Sequence, residues 1–212
     1  MMSKLTLYTH PMSRGRIVRW MLEEISQPYE AHVVAYGPQM KSADYRAINP
    51  MGKVPALRHG DLVVTECAGI IAYLADTFRD AGLYPQTDAE RAAYYRWMFF
   101  AAGPLETAVS NRTLGFIVPE EKQRMVGYGS YELVLDTLEQ ALADTAYVAG
   151  ERFTAADVYL GSHLMWGMQF GSIERRPAFE AYVARLGSRP AHLRATQLDD
   201  ALAADLAAAP QG

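Results

Sequence analysis

The stretch Asn49-Pro50-Met51-Gly52-Lys53-Val54-Pro55-Ala56-Leu57 places the tightest constraint on what this chain can fold into. Val54-Pro55 sets a proline at the start of an apolar run. Proline has no N–H to give to a sheet ladder, so the strand it opens must be unpaired on that side. A cis Val54-Pro55 bond would turn the Val54 N–H and C=O outward, where an extended peptide could pair with them. Gly60-Asp61 follows as a Gly-first two-residue hairpin signal, and Thr65-Glu66-Cys67 then leads into a helix. Glu66 would stand beside the unpaired N–H groups of that helix end, which suit an anion. A peptide carrying both an ammonium and a carboxylate would find a partner for each.

The segments around this stretch alternate strand and helix signals. Lys4-Leu5-Thr6-Leu7-Tyr8 alternates polar and apolar residues, the mark of a half-buried strand. Ser13 precedes Ile17, Val18, Met21, Leu22 and Ile25, an apolar helical stripe. Ala31 to Ala35 reads as a second strand, Val54 to Leu57 and Leu62 to Val64 flank the hairpin, and Glu66 to Phe78 reads as a helix. The order βαβ then ββα is that of a thioredoxin-like domain. Gly82 and Pro85, in an aperiodic stretch, mark a linker over Asp80 to Gln86. Beyond it Thr87 with Glu90 forms a capping-box signal for a helix reaching Ser110. Pro119 opens a second helix over Glu120 to Ala143, and Thr154 with Asp157 starts a third. Pro177 opens a further helix, which Arg189-Pro190 ends. The expected fold class is α/β plus all-α: a thioredoxin-like domain over residues 1–81, then an all-helical domain over residues 87–212 with an alanine-rich tail that frays.

Composition removes several function classes. The 212 residues carry a net charge of −4 with no basic run, so a positive nucleic-acid surface has no support. One cysteine permits no intramolecular disulfide, and five scattered histidines show no metal-ligand spacing. A lone thiol fits a reducing compartment. The first residues lack a charged-then-apolar leader pattern, and no apolar run reaches membrane-spanning length, so a cytoplasmic protein with no membrane partner is expected.

Four segments in register resemble the cytosolic glutathione transferase family as found in bacteria. They are Leu7-Tyr8-Thr9-His10-Pro11-Met12-Ser13-Arg14, then Asn49 to Leu57, then Thr65 to Leu74, and finally Phe153-Thr154-Ala155-Ala156-Asp157-Val158-Tyr159-Leu160. The resemblance implies a thioredoxin-like glutathione-binding domain, an all-helical domain that carries the electrophile site and dimer contacts, and a homodimer. It also implies a reaction in which the glutathione thiol, as co-substrate, attacks a small hydrophobic electrophile, with no metal required.

Residue by residue, the resemblance aligns Ser13 with the hydroxyl that donates to the glutathione sulfur. An ordinary helix cap is the other reading of Ser13. Tyr8 is the alternative donor, or else a packed strand aromatic. Glu66 matches the partner of the γ-glutamyl ammonium, and Cys67, where the family usually has serine, would offer its backbone N–H to the γ-glutamyl carboxylate. Lys53 would meet the glycyl carboxylate, and Val54 and Pro55 the cysteinyl part. The family often has a further basic contact, frequently a histidine, just before the Lys41 position; here that residue is Met40, so the contact passes to Gln39 or Lys41 or is missing. Arg14 and Arg16 read as a solvated helix face, and Asp157 as structural. For the electrophile, family geometry offers Met98, Phe99, Phe100, Arg112, Phe116, Met165 and Trp166, although such a stripe also describes core. A thiol of ordinary pKa is only about 3% ionised at pH 7, and lowering its pKa by about 2 units asks roughly 2.7 kcal/mol of the site. A glutathione-dependent peroxide or disulfide reductase, or a non-catalytic binding protein on the same fold, would use the same peptide site.

Overall fold

A computed structural model describes residues 4–208. They form two compact units, residues 4–81 with 188–208, and residues 82–187. The first unit is built on four strands: β1 (Leu5–Thr9), β2 (Tyr29–Val33), β3 (Ala56–His59) and β4 (Leu62–Thr65). Their order in the sheet is β2-β1-β3-β4, with β1 parallel to β2 and the other pairs antiparallel. β2 lies two residues earlier than the apolar pattern Ala31 to Ala35 predicts. The parallel register Leu5↔Tyr29 starts it immediately after Pro28. Gly60 takes φ 59, the left-handed value that a Gly-first hairpin turn requires.

Alternation along β1 divides the unit. Leu5, Leu7 and Thr9 are buried on one face, which α1 (Gly15–Ile25) and α3 (Cys67–Thr77) cover. The whole predicted stripe of α1, from Ile17 to Ile25, is buried there. On the opposite face Tyr8 packs with Val34, Met40, Tyr45 and Ala56, beside α2 (Ala43–Arg46). The start of α1 and the end of β1 approach closely. A Cβ on Gly15 would fall 1.9 Å from Thr9 Oγ1 and 3.0 Å from Ser13 Oγ.

The helical unit comprises α4 (Asp88–Phe100), α5 (Glu106–Thr113), α6 (Tyr131–Ala143), α7 (Ala155–Gln169) and α8 (Pro177–Gly187). Thr87 caps α4 by accepting from the Glu90 N–H at 3.1 Å, as its sequence predicts. The single helix expected to Ser110 is instead interrupted by a π turn at Ala101–Leu105 containing Pro104. Proline has no N–H for the α ladder and its ring crowds the preceding turn, and a π turn accommodates both defects. The helix expected over Glu120 to Ala143 is also divided. A 3-10 turn at Glu120–Met125 ends before Gly127 and Gly129, and Ser130 caps α6 by accepting from the Leu133 N–H. α7 is buried on nearly every side, which makes it the central helix of this unit rather than an amphipathic one. Its cap residue Thr154 is held by Asp157, whose carboxylate also accepts from the Val148 N–H and the Tyr182 hydroxyl. Burial pushes the Asp157 carboxyl up, against the pull of these donors.

The last helix, α9 (Pro190–Ala208), changes the expected assignment of the chain's end. The sequence reading gives everything beyond residue 87 to the helical domain and frays the tail from Ala201. α9 instead packs along α1 and belongs to the first unit, and it stays helical to Ala208, while the remainder of the expected tail, residues 209–212, lies outside the described residues. Ion pairs fix its register. Arg16 meets Asp200 at 2.7 Å, Arg19 meets Asp199 at 2.8 Å, Arg194 meets Glu23 at 3.0 Å, and Arg189 meets Glu24 at 2.7 Å. Arg19 is 5% exposed and Asp199 0%. Burial raises the Asp199 carboxyl's pKa, with Arg19 pulling the other way.

Two stability measurements follow from these contacts. In an open helix Gly→Ala stabilises by about 0.5–1 kcal/mol. Gly15→Ala is expected to destabilise by about 1–3 kcal/mol, because the added methyl overpacks Thr9. Adding Thr9→Ala should return part of the loss in denaturant titrations, and a Gly15→Ala protein of unchanged stability would contradict the close approach. Asp199→Ala should cost about 3–5 kcal/mol by leaving Arg19 buried and unpaired. Replacing Arg19 by Met and Asp199 by Leu together should cost clearly less.

Candidate functional site

β1 ends at Thr9, and α1 does not begin until Gly15. The turn between them presents five successive carbonyls at a helix N-terminus, and all five have donors. His10 O accepts from the Ser13 N–H and from Ser13 Oγ at 2.7 Å. Pro11 O accepts from Arg16 Nε at 2.5 Å, and Met12 O from the Tyr36 hydroxyl at 2.9 Å. Ser13 O and Arg14 O accept from the N–H groups of Arg16 and Ile17, the first turn of α1. Ser13 Oγ in turn accepts from the Gly15 N–H at 3.0 Å. Ser13 therefore acts as a local cap and carries a hydroxyl hydrogen that points to His10 O. His10 Nδ1 accepts from the Met12 N–H, its ring lies 4.2 Å from that of Tyr36, and burial lowers its pKa. Thr9 Oγ1 is fully buried and has no hydrogen-bond partner among the described residues.

Tyr8, the alternative donor, is buried in the cluster on the other face of the sheet. Its ring stands 5.3 Å from His32 and 6.1 Å from Tyr45. The packing reading of Tyr8 is the one its surroundings match.

The Lys53–Pro55 loop is rigidly held. Lys53 O accepts from the Tyr45 hydroxyl at 2.8 Å and from Asn49 Nδ2 at 2.7 Å. Tyr45 is pushed up to about 12 by its burial and so stays protonated as that donor across the neutral range. The Val54–Pro55 peptide is cis, and the ladders on both sides of β3 begin at Ala56, which leaves Val54 outside them. Lys41 Nζ donates to Gly52 O at 2.6 Å and Gln39 Oε1 accepts from the Ala35 N–H, so both candidates for the missing basic contact are engaged by the protein's own loops. Met40 is core. The Lys53 side chain is exposed.

Glu66 occupies the N-cap of α3 at φ 63 and ψ 119 with its side chain exposed. A non-glycine residue at positive φ costs about 1–3 kcal/mol and persists where its surroundings hold it, often at ligand clamps. Cys67 follows as the first residue of α3. Its thiol is buried and points to Arg14 O at 3.8 Å, which makes it packing between the starts of α1 and α3. Ser13, Val54, Glu66 and Cys67 thus share the first unit, at strand and helix ends, as the sequence predicts.

The electrophile candidates lie on the helical unit. Met98 is buried core, while Phe99 is 72% and Phe116 63% exposed. Phe100 is half-buried against Trp97 at 5.2 Å, and Met165 and Trp166 are half-buried on α7. Arg112 lies 3.9 Å above the Tyr131 ring. Tyr45, Tyr36 and the bridging role of Arg16 were not legible in the sequence. Arg16 is tied to Pro11 and Asp200 rather than forming the solvated face that its charge predicts. Among the described residues, no cluster of three or more His, Cys, Asp or Glu could hold a metal ion, and no helix is long and apolar enough to cross a membrane.

Comparison with known proteins supplies the lineage. The pattern for "Glutathione S-transferase, N-terminal domain" matches residues 12–77, and that for "Glutathione S-transferase, C-terminal domain" matches residues 127–185. Glutathione S-transferase F13 of Arabidopsis thaliana is 30% identical over 90% of this chain and 94% of its own. Glutathione S-transferase GstA of Escherichia coli O157:H7 is 32% identical over 76% of this chain and 78% of its own. Among solved structures, the theta class enzyme of Xanthomonas axonopodis pv. citri, with glutathione bound, is 31% identical with a TM-score of 0.71 over 92% of this chain and 98% of that one. With both domain patterns in order on a four-stranded mixed sheet followed by helices, the chain belongs to the glutathione S-transferase family.

Proposed function

We propose that this protein is a cytoplasmic, homodimeric glutathione transferase of the serine type. It would bind glutathione as an extended peptide on the first unit and conjugate it to small hydrophobic electrophiles, a detoxifying reaction. The observation that carries this reading is the Ser13 hydroxyl in its fully bonded turn at the start of α1. The similar enzyme with glutathione bound supports the choice of peptide.

In this reading the Val54 backbone pairs with the cysteinyl residue beside Pro55, and Lys53 meets the glycyl carboxylate. Glu66 takes the γ-glutamyl ammonium, while the Cys67 N–H, on the positive end of α3, takes the γ-glutamyl carboxylate. The sulfur then lies at the turn carrying Ser13. Ser13 must move its single hydrogen from His10 O to the sulfur, which gives up a neutral hydrogen bond of about 1 kcal/mol. The bond gained is charge-assisted and roughly twice as strong. His10 O keeps the Ser13 N–H, and the Gly15 N–H still donating to Oγ polarises the hydroxyl. The thiol proton leaves to solvent, the thiolate forms a bond to the electrophilic carbon, and the leaving group departs with its electron pair or, in an addition, the carbon framework takes up a proton. The exposed aromatics Phe99 and Phe116, with Arg112 and the half-buried Trp166, are the proposed electrophile contacts of the helical unit, and Met98 would shape them from behind.

Ultraviolet titration of bound glutathione tests the serine assignment. The thiol pKa should lie below its free value in the unmodified protein and rise by about 1–2 units in Ser13→Ala, while Tyr8→Phe leaves it unchanged. An unaltered titration in Ser13→Ala would sink the assignment. Light scattering at micromolar protein should give a dimer mass, and a monomer mass would refute the dimer.

A further inference from the structure

We infer that Arg16 is a positioning residue for the Ser13 turn and that the C-terminal helix α9 aims it through Asp200; this rests on the reading of Ser13 proposed above. Arg16 is the second residue of α1, where its positive charge opposes the helix dipole and earns nothing from it. Its guanidinium makes two directed bonds. Nε donates to Pro11 O, inside the turn and two residues before Ser13, and Nη2 donates to Asp200 Oδ1 at 2.7 Å. The planar fork fixes the angle between the two, so the position of α9 sets the direction from which Pro11 O is held. One turn further along α1, Arg19 pairs with Asp199, the neighbour of Asp200, and both groups are buried, a second tie that opposes sliding of α9. The chain's last helix is therefore tied to the turn that carries the thiol-activating hydroxyl, although it contributes no residue to the peptide site.

A positioning role and a purely electrostatic one differ in sign. Removing the Asp200 carboxylate leaves the Arg16 charge less compensated, which by field alone would lower the pKa of a nearby thiol. Loss of aim at Ser13 would raise it. The experiment measures the bound-thiol titration, kcat and glutathione KM with an aryl chloride bearing two nitro groups, in Asp200→Asn, Arg16→Lys, Ser13→Ala and the Arg16→Lys/Ser13→Ala pair, with thermal melts to establish folding. Expected are a raised thiol pKa in Asp200→Asn and Arg16→Lys and about a tenfold loss in kcat. The glutathione KM should change less than kcat, because Glu66 and the Lys53–Pro55 loop are untouched. Arg16→Lys keeps the charge without the fork, and its effect should vanish in the Ser13→Ala background. A lowered thiol pKa in Asp200→Asn, or folded Asp200→Asn and Arg16→Lys proteins with wild-type titration and kcat, would overturn the inference while leaving Ser13 in place. An unchanged titration in Ser13→Ala would overturn the serine reading and this inference with it.

Discussion

The saturation of the turn between β1 and α1 is the constraint on which the rest of the site depends. Five exposed-chain carbonyls from His10 to Arg14 would ordinarily be free to move in solvent, and a serine among them would sample many directions. Here each carbonyl is held by a different donor: the turn itself, Arg16, Tyr36 and the first N–H groups of α1. Because those donors stand on α1 and on the loop after β2, the turn cannot shift without breaking contacts on two sides. The close seating of Thr9 against Gly15 locks its base. A hydroxyl positioned in this way would lose little further entropy on changing acceptors, as the proposed activation of a thiol by a single hydrogen bond requires.

The packing of α1 against α9 extends the same logic. α1 carries Arg16 and Arg19 in its first half and Glu23 and Glu24 toward its end, the reverse of what its own dipole favours. The pattern is explained by α9, which presents Arg189 and Arg194 to the glutamates and Asp199 and Asp200 to the arginines. The part-exposed Arg16–Asp200 and Arg194–Glu23 pairs contribute little by themselves, whereas Arg189 holds the largely buried Glu24 through both carboxylate oxygens. Together with the buried Arg19–Asp199 pair they make the antiparallel register the one that leaves no charge opposed to its like. The edge-on contact of Trp20 with His192 at 4.7 Å fills the apolar seam.

The helical unit is organised around a buried acid in a different way. Asp157 has no route to solvent, and it gathers donors from its own helix cap, from the Val148 loop and from Tyr182 on α8. It joins three segments distant in sequence, and its role is structural, as the capping pattern Thr154-x-x-Asp157 implies. The π turn at Pro104 and the break at Gly127 and Gly129 are the places where local chemistry overrides an otherwise helical apolar pattern.

How much of this was legible beforehand depends on the range of each interaction. The element order βαβ then ββα, the hairpin at Gly60-Asp61, the caps at Thr87 and Thr154, the stripe of α1 and the residues Ser13, Val54, Glu66 and Cys67 are written locally, in spacings of two to four residues and in the special backbone demands of proline and glycine. The sequence by itself therefore determined the fold class and named the residues proposed to meet a peptide. Tertiary structure decided the assignments that depend on partners far along the chain: that Tyr8 faces the Tyr45 cluster, that Lys41 serves Gly52, that Arg16 bridges Pro11 to Asp200, and that α9 packs with the first unit. A charge or a hydroxyl has many possible partners, and a one-dimensional pattern carries no distance between residues 16 and 200. Only packing of the chain brings them within hydrogen-bonding range.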